Sequence, residues 1–120
     1  MLTRQEAIKA CMTLPGAYED YPFDDPNWTI MRHHGNRKMF AAIYARQGHI
    51  WLNLKADPMW GDLWKQNWPA VVPAYHMNKQ HWISVLLPDA PDDVIEFLTN
   101  CSFEATRSKR KLSKIQQKGI

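Results

Sequence analysis

The chain is short of the residues on which most catalytic and metal chemistry rests. Of its 120 residues only two are cysteine, Cys11 and Cys101, and five are glycine. Two isolated thiols, each in a helix-like stretch beside apolar neighbours, exclude a disulfide framework and a thiolate zinc site; they read as buried free thiols rather than reactive ones. The glycines form no phosphate-cradling loop, and neither a nucleophile elbow nor an HExxH helix is present, so the chain reads as non-enzymatic, with no cofactor. No apolar run approaches the roughly 18 residues of a membrane span, and the N-terminus carries no charged stretch leading into a long apolar one. The expectation is a cytoplasmic, soluble protein.

What is present suits one compact domain: 45% of residues are hydrophobic and six are tryptophan. The formal charge of +3 invites a nucleic-acid reading until its distribution is examined. From residue 104 onward there are six cations and one acid, whereas residues 1 to 103 hold nine cations and eleven acids, a balance of −2. The basic character therefore belongs to the tail, 107 to 120, which is expected to be mobile or partly helical, beyond a single domain of residues 1 to 106. Within the domain, residues 26 to 56 carry Arg32, Arg37, Lys38, Arg46 and Lys55 without a single acid. The acids gather at 19 to 25 and 89 to 96.

Along the chain, Thr3 and Glu6 form a capping box, so a first helix starts there and runs through Ala7, Ile8, Cys11 and Met12 until Pro15-Gly16 stops it. Residues 18 to 26, acidic and aromatic, read as irregular structure over a core edge. Three strands follow as an antiparallel meander: 28 to 32, 39 to 44 and 49 to 55, joined by turns at 34 to 37 and 46 to 48. In the third, Ile50, Leu52 and Leu54 alternate with His49, Trp51, Asn53 and Lys55, and the second set reads as a wet surface or a recognition face. Asp57-Pro58 opens a second helix whose Trp60, Leu63, Trp64 and Trp68 fall on one stripe, expected to lie on the sheet. Val71-Val72 and residues 82 to 87 supply further strands, and Pro91-Asp92-Asp93 opens a third helix with acids at its positive end. Together these predict an α+β domain: an antiparallel sheet, helices one and three packed on one face, and the Trp-rich second helix capping it.

The most chemically loaded stretch, residues 73 to 82, places two histidines, two amides, a lysine and two aromatics in a loop that feeds a core strand. Tyr75-His76-Met77-Asn78-Lys79, followed by His81-Trp82, resembles the YHMNKxHW signature of the MmcQ/YjbR family of small bacterial proteins. Leu14-Pro15-Gly16-Ala17 with Tyr21-Pro22-Phe23, Lys38-Met39-Phe40-Ala41, and Leu52-Asn53-Leu54-Lys55 with Asp57-Pro58 resemble further family segments in the same order. The resemblance implies a fold similar to CyaY, the bacterial frataxin, and DNA binding of a double-wing kind. Frataxins use a carboxylate-rich first helix for iron, whereas helix one here offers only Glu6. His76 and His81, five apart with no thiolate nearby, are not a helical ligand pair, so no metal site is expected.

For a nucleic-acid surface the inventory is Arg32, His33, His34, Arg37 and Lys38 at the first hairpin, then Lys55, then His76, Asn78, Lys79, Gln80 and His81. Lys and Arg neutralise phosphates, Asn and Gln read adenine edges, and hairpin tips enter grooves. Of these, Arg32, Arg37, Lys38, Lys55, His76, Asn78, Lys79 and His81 are the candidate contacts to double-stranded DNA. The competing reading is a module for a protein or small anionic ligand, using a groove between the loop and the His49/Trp51/Asn53/Lys55 face. A basic surface continuous over both hairpins favours DNA; a pocket where His76, Lys79 and Lys55 converge favours the small ligand. The loop also has a purely structural reading, with His76, Asn78 and His81 bonded to backbone and Trp82 in the core.

Overall fold

The computed structural model describes residues 1–108. Its elements are α1 (Arg4–Met12), β1 (Ala17–Asp20), β2 (Thr29–His33), β3 (Met39–Arg46), β4 (His49–Lys55), α2 (Pro58–Asn67), β5 (Val71–Pro73), β6 (Trp82–Leu86) and α3 (Asp92–Thr106), with a 3-10 turn at Leu87–Asp89. The expectation for the tail falls mainly on residues 109 to 120, which lie outside the described part. All six strands are antiparallel, in the order β1-β2-β3-β4-β6-β5. The three-strand meander is therefore the middle of a larger sheet. One strand went unforeseen: residues 17 to 20, read as the start of irregular structure, pair with β2 from Ala17↔His33 to Asp20↔Ile30.

The capping box forms, with Thr3 Oγ1 accepting the Glu6 N–H at 3.1 Å and Glu6 Oε1 accepting the Thr3 N–H at 3.2 Å. Asp57 caps α2 by accepting the Met59 N–H. Gln47 and Gly48 both take positive φ, 52° and 78°, as a two-residue turn matched to the twist of a hairpin requires. Between β2 and β3 the register slips at Met31/Arg32, leaving Phe40 as an extra residue. That bulge lets Phe40 and Ala41 both be buried, and Phe40 meets Phe103 of α3 edge to face, ring centroids 5.2 Å apart.

The three helices share one face of the sheet. Here α1 and α3 pack over the central strands, and α2 lies beside α3 over β5 and β6. Met31, Ala41, Ile43, Leu52, Leu54, Ile83 and Val85 point into this layer. The expected tryptophan stripe is rotated: Trp64 is buried at 9% exposure, but Trp60 and Leu63 are 52% and 43% exposed. Gly61 is the cause. A methyl group there would stand 3.4 Å from Ile83 Cγ2, so the small residue brings the helix backbone onto β6, and Gly61 and Trp64 become the buried line while Trp60 swings outward.

Candidate nucleic-acid interface

The opposite face of the sheet is where the loaded loop lies, and it is not wet. Trp51 and Asn53 are buried, as are Ile30, Ala42, Tyr44 and Ser84. The reading of His49, Trp51, Asn53 and Lys55 as an open face is thus corrected for its two central members, and no groove separates them from the loop. A polar network closes the gap. Asn53 Nδ2 donates to the Tyr75 carbonyl at 2.8 Å, and the Tyr75 N–H donates to Ser84 Oγ at 3.0 Å. Asn53 Oδ1 in turn accepts from Tyr44 Oη at 2.8 Å and from Ser84 Oγ at 2.5 Å. Around this network the Tyr44 ring stacks on Trp28 at 4.2 Å, and the Arg46 guanidinium lies over the rings of Tyr75 and Trp51 at 4.1 and 4.8 Å. Burial pushes the Tyr44 hydroxyl pKa up, as expected of a phenol acting as a neutral donor.

The loop is therefore structural at its base and free at its tip. The side chains of Asn53 and Ser84 hold it through the Tyr75 backbone, and no histidine side chain takes part in that anchor. Asn78 builds the turn, its Oδ1 accepting the Gln80 N–H at 2.8 Å and its carbonyl accepting from His81 and Trp82. The His81 carbonyl accepts from Ala56 and ties the tip to the end of β4. The side chains of His76, Asn78, Lys79, Gln80 and His81 are exposed, and Trp82 is half-buried beneath Lys55, whose Nζ stands 5.6 Å from the indole centroid. His76 has a left-handed backbone, φ 59°, as does Arg37 in the hairpin turn, φ 61°. Such φ values are uncommon outside glycine and hold both side chains out from tight turns.

At the β2–β3 hairpin the candidates divide. His34, Arg37 and Lys38 are exposed. Arg32 is committed elsewhere: its Nε donates to Asp20 Oδ2 at 2.7 Å and its Nη1 to the Arg37 carbonyl at 3.1 Å. His33 is a core residue. Its ring packs between Phe40 and Phe103, and Nε2 lies 2.7 Å from Thr106 Oγ1. The Thr106 hydroxyl also reaches the Ser102 carbonyl at 2.8 Å, and when it donates there Nε2 is the donor of the His33–Thr106 bond. Desolvation, with the nearby Arg107 charge adding to it, lowers the His33 pKa.

Sheet register gathers the remaining cations. The β2–β3 turn stands at the start of β3, Ala41 pairs with Leu54, and Lys55 pairs with Trp82. Arg37, Lys38, Lys55 and the Lys79 loop therefore share one end of the sheet. The end of α3 is there too, since Thr106 bonds His33 and accepts from Asn36, and Lys55 N–H donates to Ser102 Oγ. Arg107, the C-cap of α3, stands at that end as well. Among the described residues Arg37, Lys38, Lys55 and Lys79 make no ion pair, while Asp24, Asp25, Asp89, Asp92 and Asp93 belong to segments at the opposite end. Asp20, Asp57 and Glu104 are acids near the basic end: Asp20 holds Arg32 and shares a concavity with His34 and Arg37, and Glu104 pairs with Arg107 at 2.9 Å. A net charge near zero conceals a polarised molecule. The four free cations lie two to three strand spacings apart, roughly 10–15 Å across.

Among the described residues no three His, Cys, Asp or Glu side chains group as a metal site, and no helix is long and apolar enough to cross a membrane. Sequence reasoning missed the Asn53–Ser84–Tyr44 network. The signal was a polar residue at the centre of each of two apolar strands, which pairing brings opposite one another.

These features define an α+β domain with helices on one face of an antiparallel sheet and an anchored polar loop on the other. The YjbR family model matches residues 12–105, and the chain belongs to that family. Among relatives, the uncharacterised protein YyaQ of Bacillus subtilis is 34% identical over 89% of this chain and its own full length. The uncharacterised protein YjbR of Escherichia coli K12 is 29% identical over 92% of this chain and 97% of its own. A Pseudomonas syringae crystal structure superposes with a TM-score of 0.79 at 28% identity, covering 88% of this chain and all of that one. The Deinococcus radiodurans protein DR2400 gives 0.75 at 31% identity, over 86% of this chain and 77% of its own.

Proposed function

We propose that this YjbR-family protein is a non-enzymatic binding protein that engages duplex DNA through the basic end of its sheet. The single observation that carries this reading is the convergence there of Arg37, Lys38, Lys55 and Lys79, all without an ion pair among the described residues. The hairpin turn at 34 to 38 and the loop tip at 78 to 81 act as the two wings. Their separation is comparable to a major groove of about 12 Å, so each wing meets phosphates on one wall. Arg32 is replaced in the candidate set by this geometry, since Asp20 holds it. His76, His81 and Asn78 stand beside the cations as hydrogen-bonding groups, with the Asn78 amide nitrogen free of the turn.

The alternative, a small anionic ligand held by converging His76, Lys79 and Lys55, is less well supported. His76 lines a cavity with Met77, whereas Lys55 lines a different one between α2 and α3. The reading is tested by fluorescence anisotropy of the full chain with a labelled duplex at low salt. Arg37→Ala with Lys38→Ala is expected to weaken binding in proportion to two lost phosphate contacts, and an unchanged affinity would contradict it.

A further inference from the structure

A second concavity lies on the same sheet face, bordering the basic end through Met39, His76 and Met77, and its chemistry is of the opposite sign. It measures about 290 Å³, at the small end of ligand cavities, and rests on Ile30. Its walls are Phe23, Trp28, His76, Met39 and Met77, and its one charged lining group is Asp25. Rings and thioethers present polarisable surface, and the indole of Trp28 is fixed by stacking on Tyr44 at 4.2 Å with the His76 ring 6.2 Å away. The Asp25 carboxylate is held by the Asn27 N–H at 2.9 Å on Oδ1, leaving Oδ2 without a hydrogen bond among the described residues. Of the nearby cations, Arg32 is turned to Asp20 and Lys38 does not line the cavity.

The ring N–H groups of Trp28 and His76 are the donors on this wall, and its one carboxylate, Asp25, repels an anion and attracts a cation. We propose that this cavity binds a small organic cation, a methylated or quaternary ammonium group, with aromatic faces around the charge and Asp25 as its counter-ion. A quaternary ammonium has no N–H to satisfy, so an apolar wall with a single carboxylate suits it better than it suits a primary amine. Exposure of Phe23 at 56% leaves the cavity an open side through which so small a ligand enters. The cavity shares His76 with the DNA-binding surface, but Asp25, Trp28 and Phe23 belong to it alone, so the proposal does not rest on DNA binding.

The experiment is an NMR titration of the full chain, labelled at methionine methyl groups and tryptophan indoles, with choline and with its neutral carbon isostere 3,3-dimethylbutan-1-ol. Choline at millimolar concentration is expected to shift Met39, Met77 and Trp28 saturably, and the isostere to bind on the order of tenfold more weakly. Asp25→Asn keeps the acceptor for Asn27 and removes the charge; it is expected to weaken choline severalfold and leave the isostere unchanged. Phe23→Ala, at an exposed ring, provides a second route that spares the fold. Equal binding of choline and isostere, indifference to Asp25→Asn, or no saturable shift at those three residues would each overturn the proposal.

Discussion

Asn53 shows how much one residue can fix. It bonds the loop through Tyr75 and two buried hydroxyls through its Oδ1, so removing it leaves those hydroxyls and the part-buried Tyr75 carbonyl without this partner. Asn53→Ala is expected to cost about 2–3 kcal/mol in urea unfolding, the penalty of buried polar groups left unpaired. A change below about 0.5 kcal/mol would show that the network is not holding the loop. His33 makes a pH prediction. Its folded pKa lies below the ordinary 6.5, so the unfolded chain binds the proton more readily and stability is lost as pH falls below that value. Melting temperature is expected to drop on acidification through that range, and His33→Gln to remove this component. The cysteines divide as well. Burial pushes the Cys11 thiol up to about 12, whereas Cys101, expected to be buried, is partly open beside α2. A thiol reagent is expected to reach Cys101 slowly in the native protein and Cys11 only on unfolding; rapid labelling of both would contradict this.

Among the elements, α1, α3 and the central strands were legible from the chain because caps, prolines and alternation are local signals. The meander turned at Gln47-Gly48 as its residues require. What stayed hidden depended on partners distant in sequence. β1 is four residues long, and its Ala-Tyr-Glu-Asp sequence has no strand pattern of its own; it exists because β2 offers an edge. The rotation of α2 depends on Gly61 meeting Ile83, and no stripe count on the helix alone reveals it. That packing is testable. Trp64→Ala is expected to cost about 3–5 kcal/mol, and Trp60→Ala, on the exposed side, much less. Equal costs would restore the original stripe.

At the scale of the molecule, the candidate site was legible as a set of residue types but not as a place. Counting charges gave a domain of −2, which argued against a basic surface; strand register then carried Arg37, Lys38, Lys55 and Lys79 to one end and most acids to the other. Arg32 left the candidate contacts because a neighbouring strand claims it, and His33, in the wider inventory, is claimed by a distant helix. The central claim is that this end, and not only the basic tail that follows in sequence, meets DNA. Residues 1 to 108 contain every described element, so a chain ending there isolates the sheet's contribution. The measurement is the salt dependence of duplex binding by that shortened chain. Four phosphate contacts predict a slope of log affinity against log salt of roughly −3 to −4, reduced by about two contacts when Arg37 and Lys38 are both replaced by alanine. Loss of all binding on removal of the tail, or a slope untouched by the double replacement, would contradict the account.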